Sequence, residues 1–389
     1  MNYNLPAQPP ILSDENKLSY GIKISPLHTA LAGVSLSQVV DSMPKLQELD
    51  GTHFVVFDPP GTTNHDRSKV VLEEFTWTNP MSAGWDRRIR YFQGLIKIVT
   101  GEDITVIGMP STTTRLARGI PFWKHKTDMN HFSSKEIAKI EENDLSPYAE
   151  RRARILKKLK VEKVSGNAMS WGAVVLAADA QFFIEHGVAD VTDLTFIDPA
   201  TLHNGKTQQK MRSGFVKTLP NYHKAVLGTN IPAFITAQNA RYSDLPRQFG
   251  GSLVGFIGDL FVPEVRAQKK AMAAGGFVPA MQKLSETLHK SNPDKIIPTV
   301  LATGDQSGIV DFDQAIVDEL SILPNLDFNF ILNQPFGHAI TNDVPNVSII
   351  GAENFKRGMK LPQNDSCPIP PPVLSTREIL QQRARYLQN

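Results

Sequence analysis

The sequence predicts an α/β fold built on a mostly parallel sheet. Two observations carry that reading. Short apolar runs closed by turn residues alternate with longer stretches whose apolar residues recur every three to four positions. One such run, Val161-Glu-Lys-Val-Ser-Gly-Asn-Ala-Met, passes through Ser170 directly into an apolar helix, Trp171-Gly-Ala-Val-Val-Leu-Ala-Ala. The composition agrees: 389 residues, 41% hydrophobic and 21% charged, are enough for a large core without disulfides or metals.

Residues 1–16 are polar and proline-bearing, an expected extended arm. Lys17 to Ile24 alternates weakly as a first strand, and 27–50 carries one or two helical stretches. Thr52 to Phe57 is a short apolar run ended by Asp58-Pro-Pro-Gly61-Thr62, a strand followed by a tight turn. A helix is expected from Asp86 to Thr100, with Ile89, Phe92, Leu95, Ile96 and Val99 on one side. A strand follows from Ile104 to Met109. Residues 115–145 show no clear period and read as loop and short helix.

The run Arg151-Arg-Ala-Arg-Ile-Leu-Lys-Lys-Leu-Lys160 has its apolar residues at helical spacing. Its charges therefore read as the solvated face of an amphipathic helix, not a nucleic-acid patch. The helix after Ser170 runs to Gly187, a fitting C-cap. Val191 to Ile197 is the next strand, and 201–293 reads as a long, mainly helical insertion. The core resumes with the strand Lys295 to Ala302, then Thr303-Gly304-Asp305. A helix follows over 313–322, and then a strand from Leu326 to Leu332 that leads to Gly337-His338. Val347 to Ile350 fits a short strand or a helix. The chain closes with a proline-rich stretch from Pro368 and a polar helix from Thr376 to Leu387.

The formal net charge of +2 implies no strong field toward nucleic acid or anionic lipid. The single cysteine, Cys367, excludes an internal disulfide and a cysteine metal cluster. The opening residues show neither a charged leader nor an apolar run, and no stretch is long enough to span a bilayer, so a cytoplasmic protein is expected. No G-x-G-x-x-G or Gly-Lys-[Ser/Thr] loop follows an expected strand, which disfavours nucleotide chemistry.

Ser170 is flanked two residues either side by Ala168 and Gly172. That pattern suits a nucleophile elbow, a strand-to-helix turn so sharp that the serine backbone is strained and larger flanking residues would clash. The turn presents the hydroxyl beside the unpaired N–H groups of the helix start. A plain N-cap serine is the alternative reading. In a parallel sheet, ligands gather at the carboxyl ends of the strands. Gly61-Thr62, Ser170, Asp305 and His338 are each expected at such an end, with Thr62 as the donor of a second oxyanion N–H.

These stretches, Val55-Val-Phe-Asp-Pro-Pro-Gly-Thr62, Ile104 to Pro110, Asn167-Ala-Met-Ser-Trp-Gly172, Val300-Leu-Ala-Thr-Gly-Asp305-Gln and Pro335-Phe-Gly-His338, resemble the α/β-hydrolase superfamily, of the branch with a helical lid inserted between the sixth and seventh core strands. The Ser-Trp-Gly form of the elbow is similar to that of proline iminopeptidase-like members. Ala168 stands where glycine is usual, and Pro-Pro-Gly where His-Gly is common. The resemblance implies a core of residues 1–200 and 294–389 with a lid at 201–293. It implies Ser170 as nucleophile, His338 as base, and Asp305 (or Asp311) as the acid that orients it. Trp171 and Thr62 would supply the oxyanion N–H groups.

No cofactor is implied. The expected partner is a small-molecule acyl substrate, an ester ahead of an amide or peptide. Acyl transfer on the same triad, or a non-catalytic binding module on the same scaffold, are the alternatives.

Overall fold

The computed structural model describes residues 46–59, 62, 65–74, 89, 92–97, 100–109, 132–203, 213, 263–306, 310, 314–337 and 344–359. The expectations for 1–45, for the segment from 204 to 262 apart from 213, and for the chain from 360 on lie outside these residues.

Among the described residues, eight strands form one sheet: β1 (Leu46–Leu49), β2 (Thr52–Phe57), β3 (Lys69–Glu74), β4 (Thr105–Met109), β5 (Lys163–Met169), β6 (Asp190–Ile197), β7 (Ile297–Gln306) and β8 (Leu326–Gly337). Their spatial order is β1-β2-β4-β3-β5-β6-β7-β8. β2 runs antiparallel to both neighbours, and every other adjacent pair is parallel. The helices with assigned bounds are α1 (Ser134–Glu141), α2 (Ser146–Leu159), α3 (Trp171–Glu185), α4 (Pro263–Ala274), α5 (Phe277–Ser291), α6 (Gln314–Ser321) and α7 (Val344–Gly358). Residues 92–97 are helical as well. Val347 to Ile350 is therefore helix, not strand.

Alternation along the strands sends side chains to two buried layers. Val164 and Ala168 of β5 join one core with Ala153 and Leu156 of α2, Leu176 and Phe183 of α3, and Leu284 and Leu288 of α5. On the opposite face, Met169, Ile197, Val300 and Ala302 pack with Ile350 of α7. The hydrophobic runs of β3, β5 and β6 follow from this two-sided burial, as expected for parallel strands.

Helix α5, within the expected 201–293 insertion, packs on the main core. Phe277, Met281, Leu284 and Leu288, spaced along one helical stripe, are all buried in the main core. Phe277 meets Phe196 of β6 edge to face, with ring centroids 5.0 Å apart. The apolar stripe of α5 is thus buried against α3 and the sheet. Helix α4 packs Ala267, Ala271 and Met272 with Trp171, Val174 and Val175 at the start of α3.

Two further expectations change. Leu46–Leu49 pairs with β2 as a strand where helix is expected, and β3 falls between two elements read from the sequence. The basic helix is present as α2, but its charges are not all solvated: Arg152 is 7% exposed, and Arg151 lies over the Phe132 ring at 3.9 Å. No helix of the described residues is long and apolar enough to cross a membrane.

Candidate active site

Ser170 links β5 to α3 with φ 57° and ψ −124°, a region that L residues other than glycine rarely enter. Its N–H donates to the Ile197 carbonyl at the end of β6 (3.0 Å), and its carbonyl accepts from Ala173 (3.2 Å) and Ala200 (3.2 Å). These bonds pin both sides of the turn, so the strained conformation is held by the strand ends around it.

The small flanking residues have visible reasons. Gly172 lies against the end of β3, where an added Cβ would come within 2.7 Å of the Glu74 carbonyl oxygen. Ala168, 1% exposed, pairs with Glu74 on one side and Phe196 on the other. Trp171 opens α3, so its backbone N–H is among those that helix geometry leaves without an intrahelical acceptor. Ser170 occupies the N-cap position of α3, but its side chain makes no capping bond to the helix.

The register places the ends of four parallel strands on one rim. Met169 pairs with Ile197, Ile197 with Ala302, and Ala302 with Ile331. Beyond that row β7 and β8 continue together, with Gln306 opposite Gly337. The backbone of residue 305 thus lies at the same end of the sheet as Ser170. The chain also leaves β8 there at Gly337, one residue before position 338. His338 and Asp311 lie outside the described residues.

Thr62 is corrected. Because β2 is antiparallel, it ends at the opposite rim: Phe57 pairs with Val106, Val106 with Val71, and Val71 with Ser165. Ser165 is about 16 Å short of Ser170 at the rise of a β-strand, and Thr62 lies beyond Phe57 in the direction away from the serine. Asp58 is fixed there by hydrogen bonds from Thr105 Oγ1 (2.8 Å) and Arg67 Nε (2.9 Å). Thr62 is exposed, and its N–H donates to the Pro59 carbonyl within the turn (3.3 Å).

A residue that sequence reasoning does not single out is Asp198. It is fully buried at the end of β6, with φ 45°. Its Oδ1 accepts the N–H of Gly304 at 3.3 Å, and its own N–H donates to the Ala302 carbonyl at 2.7 Å. It therefore anchors the strand end that carries residue 305. The Ile-Asp-Pro sequence after an apolar run is the only signal for it. Among the described residues, no group of three or more His, Cys, Asp or Glu could hold a metal ion.

Strand order, the lone antiparallel β2 and a strained serine between β5 and its helix together decide the architecture. The chain has the α/β-hydrolase fold. Three solved structures are among those similar to it. A hydrolase from Oleispira antarctica is 14% identical, covering 79% of this chain and 94% of that one, with a TM-score of 0.44. An α/β hydrolase from a Medee basin deep-sea metagenome library is 12% identical, covering 80% and 97%, with a TM-score of 0.45. A bromoperoxidase from Bacillus anthracis is 13% identical, covering 82% and 100%, with a TM-score of 0.43. No protein-family model matches the sequence, and no curated protein matches it.

Proposed function

We propose that this α/β-hydrolase-fold chain is a serine hydrolase that cleaves an ester, in preference to an amide, through an acyl-enzyme on Ser170. The observation that carries the reading is the Ser170 backbone, φ 57° and ψ −124°, held at the strand-to-helix turn between buried Ala168 and Gly172. A serine needed only for packing or capping has no reason to occupy strained backbone. A nucleophile gains from it, because the turn presents the hydroxyl and the first helix N–H groups to the same point.

In this mechanism His338 takes the Ser170 proton as Oγ attacks the acyl carbon, and returns it to the leaving group. Asp305 holds the imidazole tautomer and stabilises the imidazolium, with Asp311 as the alternative acid. The tetrahedral oxyanion is received by the Trp171 N–H, a contribution of about 3–4 kcal/mol per donor. With Thr62 on the far rim, the second donor belongs to the chain that leaves β3 at Glu74, whose main chain already abuts the elbow. Water then releases the acyl group by the same steps in reverse, and no cofactor enters.

A fluorophosphonate probe followed by intact-protein mass tests the reading. One adduct on the wild type and none on Ser170→Ala is the expected outcome. No adduct on the wild type, under conditions that label a known serine hydrolase, would sink it. A series of p-nitrophenyl esters beside aminoacyl anilides then separates esterase from peptidase chemistry.

A further inference from the structure

Behind the elbow, three ionisable side chains from three elements are buried together. Glu74 ends β3 at 2% exposure, Arg152 lies in the middle of α2 at 7%, and Asp179 sits two turns into α3 at 0%. Arg152 grips Glu74 with Nε and Nη2, one on each carboxylate oxygen. Its Nε also lies 2.9 Å from an Asp179 oxygen. That approach is angled, and among the described residues neither Asp179 oxygen receives an aligned hydrogen bond. Tyr148, one turn before Arg152, sits beside the guanidinium at 5.1 Å, and its hydroxyl receives the Gln268 amide at 2.6 Å.

One guanidinium balances one carboxylate. With both carboxyls ionised, the cluster would carry a net negative charge out of water, so two acids this close hold one proton between them. Burial raises both carboxyls above their ordinary range, Asp179 the further, with the neighbouring Glu74 adding to it. Burial also pushes the Tyr148 hydroxyl up to about 12, so it stays neutral and adds no charge. Glu74, with the bidentate grip, is the ionised partner and Asp179 the protonated one.

The cluster reaches the elbow through Glu74. Gly172 and Asp179 are seven residues apart and share one face of α3, and Glu74 touches both ends of that face. Its main chain abuts Gly172, and its carboxylate is tied through Arg152 to Asp179. We propose that Glu74, Arg152 and Asp179 are positioning residues for Ser170, a neutral, singly protonated clamp that holds the end of β3 against the first two turns of the elbow helix. The proposal rests on Ser170 being the nucleophile. Loss of the shared proton in alkali leaves a buried net charge, and the clamp loosens.

The test measures the fluorophosphonate labelling rate of Ser170 from about pH 6 to about pH 10, with circular dichroism at each pH to follow the fold. The wild-type rate is expected to fall in the alkaline range while the fold persists. Asp179→Asn, the isostere of the neutral acid, keeps a neutral-pH rate within about threefold and loses the alkaline fall, whereas Asp179→Leu and Arg152→Met label at least about tenfold more slowly at neutral pH. A profile for Asp179→Asn that matches the wild type at every pH overturns the proposal, as does a folded Arg152→Met that labels at the wild-type rate. If Arg152→Met fails to fold, the Asp179→Asn profile decides alone. A wild type that takes no label at all refutes the nucleophile itself, and the clamp's role with it, a result distinct from labelling that ignores residue 179.

Discussion

The carbonyl oxygen of Glu74 lies 2.7 Å from the point where a side chain on Gly172 would begin, and the Glu74 Cβ is 3.1 Å from that point. The obstacle is main chain, which cannot rotate aside. Gly172→Ala therefore forces β3 and α3 apart. It is expected to cost about 1–3 kcal/mol in urea unfolding and to slow probe labelling of Ser170. Gly166→Ala is the control. Its Cβ would meet the terminal methyls of Leu176 and Leu194 at 2.8 Å, which can repack. Stability should drop by a similar amount, while labelling stays within about twofold of wild type.

The strain at Ser170 can be measured directly. Glycine occupies φ 57°, ψ −124° without a Cβ penalty, whereas alanine retains it. Ser170→Gly is expected to be more stable than Ser170→Ala by about 1–2 kcal/mol in matched unfolding curves, with neither variant labelled. Equal stabilities would mean the turn is not strained.

Asp193, a buried residue of β6 that faces the end of α7, accepts hydrogen bonds from Ser165 (2.7 Å) and Thr192 (2.8 Å). Burial nevertheless raises its carboxyl to about 6. A raised acid binds its proton more tightly in the folded state. Its contribution is complete below the ordinary carboxylate value and is lost as pH rises through about 6. Glu353 on α7, lifted by burial to about 7, extends the decline. Unfolding free energy should therefore fall from about pH 4 to about pH 7, and Asp193→Asn should remove the lower part of that slope. An unchanged slope in Asp193→Asn would remove Asp193 from the account.

Amide substitution tests which acid serves the proposed triad. Asp305→Asn should lower ester turnover about ten-thousand-fold with the fold intact, and Asp311→Asn should leave it nearly unchanged. The reverse pattern assigns the acid to 311. Asp198→Asn, which alters an anchor between β6 and β7, should cost stability as well as rate.

Much of the fold is legible because its strands are buried on both faces and read as plain apolar runs. Thr52–Phe57 begins and ends where its sequence says, and the elbow is visible because strain demands small neighbours at 168 and 172. β3 is hidden by its own chemistry. Lys-Val-Val-Leu-Glu-Glu ends in two glutamates that suggest solvent, yet Glu73 and Glu74 are each 2% exposed. For Glu74 the compensating charge comes from Arg152, 78 residues along the chain, and no local pattern announces it. Without β3 the strand count slips. The turn after β2 then stands in for the loop after β3, which is how Thr62 comes to be read as an oxyanion donor. The same long-range pairing explains why a basic helix looks wholly solvated when one of its arginines is not.

Because β2 points the other way from its parallel neighbours, the 58–62 turn is a natural handle. A fluorophore or surface tether attached through a cysteine at position 62 would face solvent with the sheet between it and the chemistry. Protein tethered by that point should take the Ser170 probe as readily as protein in solution.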